Sequence, residues 1–132
     1  MTVRIAVIDD DMDDILLMNE IFSISEYTKS ISFFQNPEGV IPFLDSLSDT
    51  ELPTVILSDL NMPKLTGFEL LKALKTAQRY KHIPVIIYTT SNSEKEKQKA
   101  LSLGATDFIT KPVGVKDYYK VIEKIKEIVN KK

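Results

Sequence analysis

Apolar positions along this chain fall into two alternating rhythms. Short runs rich in β-branched residues occupy residues 3–8, 31–34, 54–58, 85–89 and 106–110, and each reads as a buried strand. Between them the apolar residues recur at helical spacing. Ile15, Met18 and Phe22 mark a first helix, Phe68, Leu71 and Leu74 or Lys75 a third, and Tyr118, Val121 or Ile122, Ile125 and Ile128 or Val129 a last one. Local signals agree with this spacing. Asn36-Pro37 is a helix start, Ser93 with Glu96 is a capping-box pattern, and Gly104 stands where a helix C-terminus favours glycine. Strand–helix alternation from end to end predicts an α/β fold: a five-stranded parallel sheet with helices on both faces. One segment conflicts with the pattern. Pro42 falls inside the second helix, where it removes a hydrogen bond and crowds the preceding turn, and Gly39 weakens the helix further. That helix is expected to be short, kinked or late in starting.

Composition narrows the class without changing this picture. The length of 132 residues suits a single domain spanning 1–132, with 43% hydrophobic and 27% charged residues, as in an ordinary packed core. The net charge of −2 argues against direct nucleic-acid binding, which needs a basic face. The chain has no cysteine, so disulfides and thiolate metal sites are excluded. Its apolar runs are too short for a signal peptide or membrane insertion, and a soluble cytoplasmic protein is expected.

In open α/β sheets, sites lie beyond the carboxyl ends of the strands. The first strand ends in Asp9, Asp10 and Asp11, and the third in Asp59, followed by Asn61, Met62 and Pro63. The fourth ends in Thr89, Thr90 and Ser91, and the fifth in Lys111 and Pro112. Clustered carboxylates repel one another, and a hard divalent cation such as Mg2+ relieves that repulsion while keeping room for phosphate oxygens. A carboxylate can also attack phosphorus to give an aspartyl phosphate, a transfer that needs positive charge on the phosphoryl oxygens. Lys111 and Mg2+ are the candidates to supply it, with the Thr89 hydroxyl bonding a remaining oxygen.

The stretches Val7-Ile8-Asp9-Asp10-Asp11, Ser58-Asp59-Leu60-Asn61-Met62-Pro63-Lys64-Leu65-Thr66-Gly67, Pro84-Val85-Ile86-Ile87-Tyr88-Thr89-Thr90, Gly104-Ala105 and Lys111-Pro112 resemble the receiver domains of bacterial response regulators, of the CheY-like single-domain type. The likeness covers nearly the whole chain, with motifs in order at four strand ends. It implies a (βα)5 flavodoxin-like fold with strand order 2-1-3-4-5. It also implies a stand-alone regulator in two-component phosphorelay signalling. Carried over position by position, Asp59 matches the phosphoacceptor, and Asp9 and Asp10 match the acid pair, with Asp10 the direct Mg2+ ligand and Asp9 acting through water. Asn61 matches the position whose backbone carbonyl binds the metal. Thr89 matches the switch hydroxyl, Lys111 the phosphate-binding lysine, and Phe108 the switch aromatic, which is tyrosine in CheY. The Lys111–Pro112 bond resembles the family's cis peptide. Ser91 stands where CheY has glutamate, so a dephosphorylation rate does not transfer. Asp13 and Asp14 resemble an extra acidic pair of some single-domain regulators.

The resemblance implies partners as well: a histidine kinase or phosphotransfer protein, and a downstream protein target. By the same resemblance, the face of the fourth helix, fifth strand and fifth helix makes a homodimer or binds the target, with Tyr118 and Tyr119 adding aromatic area near it. Such a protein is a phosphoacceptor switch and not an enzyme. Its amplifying device is expected to be movement of Thr89 toward the phosphoryl group, with the Phe108 ring turning inward behind it.

Simpler readings apply to individual residues. Asp11 caps the first helix, and Asp13 and Asp14 are first-turn acids that suit the helix dipole. Met62-Pro63 and Gly67 are loop geometry before a helix, and His82 is a bystander in a connecting loop. A haloacid-dehalogenase-type phosphohydrolase would need a second acid two residues after its nucleophile on the first strand. Here the residue two after Asp59 is the amide Asn61. A binding module that never turns over phosphate would have lost an acid, the threonine or the lysine, and none is lost. Flavin binding would want a hydroxyl- and glycine-rich loop after the first strand, where this chain has aspartates, and a P-loop is absent.

Overall fold

The structure, a computed structural model, describes residues 3–25, 30–62, 65–111 and 115–130. Strands β1 (Arg4–Ile8), β2 (Ser30–Phe34), β3 (Val55–Ser58), β4 (Val85–Thr89) and β5 (Asp107–Thr110) form one sheet in the order β2-β1-β3-β4-β5. Every pairing is parallel. Helices α1 (Met12–Ser25), α2 (Val40–Asp45), α3 (Gly67–Thr76) and α4 (Glu94–Ser102) connect the strands, and α5 (Val115–Asn130) follows β5. The expected fold class and strand order both hold.

The pleat sends alternate strand residues into two separate cores. Ile5, Val7, Leu57 and Ile86 pack with Met18 and Phe22 of α1 and Val121 and Ile125 of α5. Ala6, Ile8, Ile56 and Ile87 pack with Leu44 of α2 and Leu70, Leu71 and Leu74 of α3. With both faces covered, β1, β3 and β4 are apolar along nearly their whole length, which is why they read as runs. The α5 residues picked out by helical spacing, from Tyr118 to Val129, are all buried.

The conflict at Pro42 resolves through a late start. A single 3-10 turn, Pro37–Gly39, takes the chain out of β2, and α2 begins only at Val40. Pro42 therefore lies in the first turn of a six-residue helix, where its missing N–H had no helical partner to lose. Asn36 precedes that 3-10 turn without a side-chain cap bond. Asp11 accepts a hydrogen bond from Asp13 N–H at 2.9 Å, as an α1 cap should. At α4 only half the expected box forms. Ser93 accepts from Glu96 N–H at 3.3 Å, but the Glu96 carboxylate accepts from the Ser91 hydroxyl instead. A complete box forms at α3, where Thr66 and Glu69 exchange bonds. Gly104 has φ 105°, the left-handed conformation its position called for.

Gly67 is more than loop geometry. It is the first residue of α3, and its N–H donates to Leu60 O at 2.8 Å. A Cβ there would lie 2.3 Å from Asp59 O and 2.8 Å from Leu60 Cα, both backbone atoms. Glycine thus lets α3 dock directly on the segment that leaves β3. Gly67→Ala is expected to lower stability by about 2 kcal/mol or more through that clash, read as a lower urea midpoint with an unchanged slope.

Candidate functional site

The site assembles at the carboxyl edge of the sheet because the register carries strand ends into line. Ile8 pairs with Ser58 and Thr89 with Thr110, so Asp9, Asp59 and Lys111 each begin where a paired strand stops. Backbone bonds continue the ladder one step into the site: Asp9 N–H to Phe34 O at 2.9 Å, Asp59 N–H to Ile8 O at 2.8 Å, and Lys111 N–H to Thr89 O at 2.6 Å. The acids are therefore held by the sheet itself.

One ammonium serves three carboxylates. Lys111 Nζ lies 2.8 Å from Asp14 Oδ2, 3.0 Å from Asp59 Oδ2 and 3.2 Å from Asp9 Oδ2. Asp9 is completely buried and Asp59 nearly so, while Asp10 is exposed. Asp59 Oδ1 accepts from Leu60 N–H at 2.7 Å. Asp9 Oδ1 accepts from Asp11 N–H at 2.9 Å, and Asp9 Oδ2 accepts from the Tyr88 hydroxyl. Burial pushes the Asp9 carboxyl up to about 6, against the pull of Tyr88, the Asp11 N–H and Lys111. Burial likewise raises Asp59, with Lys111 opposing. For Lys111, burial works against the charge but is outweighed by Asp14, Asp59 and Asp9, which push it up. The lysine is thus firmly cationic, and its charge does not cover the acids around it.

Ligand oxygens of Asp9, Asp10 and Asp59 all lie within 4.8 Å of one another. Three hard oxygen donors with a surplus of negative charge fit a divalent cation of the Mg2+ type. Asn61, two residues after Asp59, is exposed. Thr89 is buried and accepts from Ser91 N–H at 3.3 Å. The Lys111–Pro112 bond lies outside the described residues.

Two sequence expectations need correction. Asp14 is not merely a helix-dipole acid: it makes the shortest of the three contacts to Lys111 and accepts from the Tyr118 hydroxyl at 3.4 Å. Helical spacing held the signal, since Asp14 lies four residues before the core residue Met18 and so faces the sheet, whereas Asp13 is exposed. Phe108 is not poised outside the core. It is only 9% exposed and packs among Ile87, Ala100 and Ala105. An inward turn of the ring would therefore bury little further area from this conformation. Of the two tyrosines, Tyr118 is buried and Tyr119 is 42% exposed, so only Tyr119 offers its ring at the surface. His82 is exposed before β4, as a bystander would be. Tyr88 was missed as a site residue because a tyrosine in an apolar strand reads as core.

A parallel doubly wound sheet with an acid cluster, an interior lysine and a buried threonine at its carboxyl edge defines a phosphoacceptor-type α/β domain. The response regulator receiver domain family matches residues 5–123, so the chain belongs to that family. It is 30% identical to the two-component response regulator ORR13 of Oryza sativa over 92% of this chain and 97% of that protein. The phosphorylated cyanobacterial phytochrome response regulator RcpA superposes with a TM-score of 0.85 at 25% identity, covering 96% of this chain and 93% of that one. The Mn2+-bound response regulator Rcp1, a protein of Synechocystis, does so with a TM-score of 0.80 at 28% identity, covering 93% and 91%. Receiver domains are phosphoacceptor switches in two-component phosphorelay signalling, working between histidine kinases and downstream targets. No helix among the described residues is long and apolar enough to cross a membrane.

The crowding of acids predicts an inverted pH response in the cation-free protein. The Asp9 pKa rises from 3.8 to about 6 on folding, so the folded state binds more protons than the unfolded state between those values. The contribution is present below about pH 4 and is lost as pH rises through about 6. In EDTA, this group should make the wild type more stable at pH 5 than at pH 7, by about 1 kcal/mol. Urea unfolding of Asp9→Asn should show that pH dependence reduced.

Proposed function

We propose that Asp59 accepts a phosphoryl group from the phosphohistidine of a kinase or phosphotransfer protein, with Mg2+ held by Asp10, Asp59 and the Asn61 carbonyl, and by Asp9 through water. The observation that carries this reading is the Asp59 carboxylate lying both within the acid cluster and 3.0 Å from an interior ammonium. A carboxylate oxygen of Asp59 attacks phosphorus. The new O–P bond forms as the P–N bond breaks, and the imidazole leaves with the electron pair and takes up a proton. Bound Mg2+ supplies charge neutralisation on the phosphoryl oxygens. Lys111 shifts from the Asp59 carboxylate to a phosphoryl oxygen, and the Thr89 hydroxyl donates to another.

The readout is a change in protein contacts. Thr89 leads into the loop that Ser91 and Glu96 tie to α4, so movement of its hydroxyl is transmitted there. The face formed by α4, β5 and α5 is the proposed docking surface for a target or a second copy. Leu101 and Tyr119 are exposed on it, and a cleft of about 360 Å3 runs between β5 and α5 beside Ile109, Val121 and Lys124.

Incubation with acetyl phosphate and Mg2+ should add one phosphoryl group by intact mass, and Asp59→Asn should add none. Gain of phosphate by Asp59→Asn at the wild-type rate would move the acceptor elsewhere. Lys111→Ala should fold yet fail to switch. Amide NMR shifts on adding beryllofluoride should be large across residues 89–111 in the wild type and small in the variant, whereas equal responses would remove Lys111 from the mechanism.

A further inference from the structure

Tyr88 immediately precedes Thr89, and the phosphoacceptor reading gives it no part. Its ring is fully buried on the α1 and α5 side of the sheet, in the same core as Val7, Leu57 and Tyr118. An aliphatic residue would fill such a position. What tyrosine adds is a hydroxyl, and that hydroxyl donates to Asp9 Oδ2. Asp9 has no solvent exposure, so its charge must be met from within the protein. Lys111 meets it only in part, because the same ammonium also serves Asp14 and Asp59. The Asp11 N–H meets Oδ1. The Tyr88 hydroxyl is a donor directed at Oδ2.

We propose that Tyr88 is a positioning residue of the acid pocket: its hydroxyl holds and compensates Asp9 when no cation is bound, and thereby competes with a divalent cation for the charge of that carboxylate. The inference rests on the reading that Asp9, Asp10 and Asp59 hold such a cation. Losing the hydroxyl costs the cation-free protein a charge-assisted hydrogen bond on a buried group. It costs the cation-bound protein less, because the cation's field then meets the same charge. By linkage, the difference must emerge as tighter cation binding. A tyrosine here holds the cation-free pocket together at the expense of cation affinity.

Calorimetric titration of the full chain with MgCl2 tests this on the wild type, Tyr88→Phe, Asp9→Asn and the double variant, with urea unfolding in EDTA and in saturating Mg2+. Tyr88→Phe keeps the ring and the packing. Its Mg2+ dissociation constant should fall by about tenfold, equivalent to about 1.4 kcal/mol. Its loss of stability should be clear in EDTA and smaller in Mg2+. A purely structural role would weaken binding or leave it alone. In the Asp9→Asn background, Tyr88→Phe should have no effect on Mg2+ affinity. Unchanged or weaker binding by Tyr88→Phe overturns the inference, as does tightening that persists with Asn at position 9. A wild type that binds no Mg2+, or an Asp10→Ala variant that binds as well as wild type, overturns the cation-site reading and the inference together. Intact wild-type binding that Tyr88→Phe does not move overturns the inference alone.

Discussion

Four carboxylates gather around one interior ammonium at the carboxyl edge of this sheet, and that imbalance governs the rest of the molecule. Asp9, Asp14 and Asp59 all lie within 3.2 Å of Lys111 Nζ, with Asp10 alongside in the cluster. Removing carboxylates from water is costly unless each is paired or hydrogen-bonded. The protein meets the cost with backbone N–H groups from Leu60 and Asp11, the Tyr88 hydroxyl and the shared lysine. What remains is a surplus of negative charge that a cation can relieve. A site fully neutralised by its own side chains would have little use for a cation, and one with no internal compensation would strain the fold.

The scaffold tolerates this strain because the backbones of Asp9 and Asp59 are hydrogen-bonded into the sheet. Asp9, Asp59 and Lys111 each follow directly on a paired strand, and the sheet hydrogen bonds run into the site by one residue. Two cores clamp the sheet from opposite faces, and glycine at position 67 lets α3 press against the Asp59 backbone. The charged cluster also reaches past the sheet. Through Asp14 it touches Tyr118, so α1 and α5 are tied to the same ammonium that faces Asp59. With Phe108 already packed in the core, a rearrangement at Lys111 has a direct route to α1 and α5 beside the route through Thr89 and the β4–α4 loop. Both routes run through discrete hydrogen bonds, which suits a switch better than gradual deformation would.

Most of the architecture was legible in the sequence because it depends on period. Strands buried on both faces must be apolar runs, helices between them must repeat at 3.6 residues, and strict alternation leaves a parallel sheet as the economical solution. Asp9, Asp10, Asp59 and Lys111 were legible for a related reason: strand ends are visible, and in this class of fold strand ends make the site. The late start of α2 could also be anticipated, since proline's missing N–H is a local property. Three-dimensional packing alone decided the rest. Helix phase distinguished Asp14 from its neighbour Asp13, and a helix carries that face to Lys111 only once α1 has docked on the sheet. The Glu96 carboxylate turned to Ser91 and left the capping box half made, a choice between two local partners that spacing cannot rank. Tyr88 looked like core and is core, yet its hydroxyl ends on Asp9, 79 residues away in the chain. A sequence states which groups are present and how often they recur. Which buried donor meets which buried charge is fixed only when distant segments share one low-dielectric interior, where an unmet charge is too costly to leave.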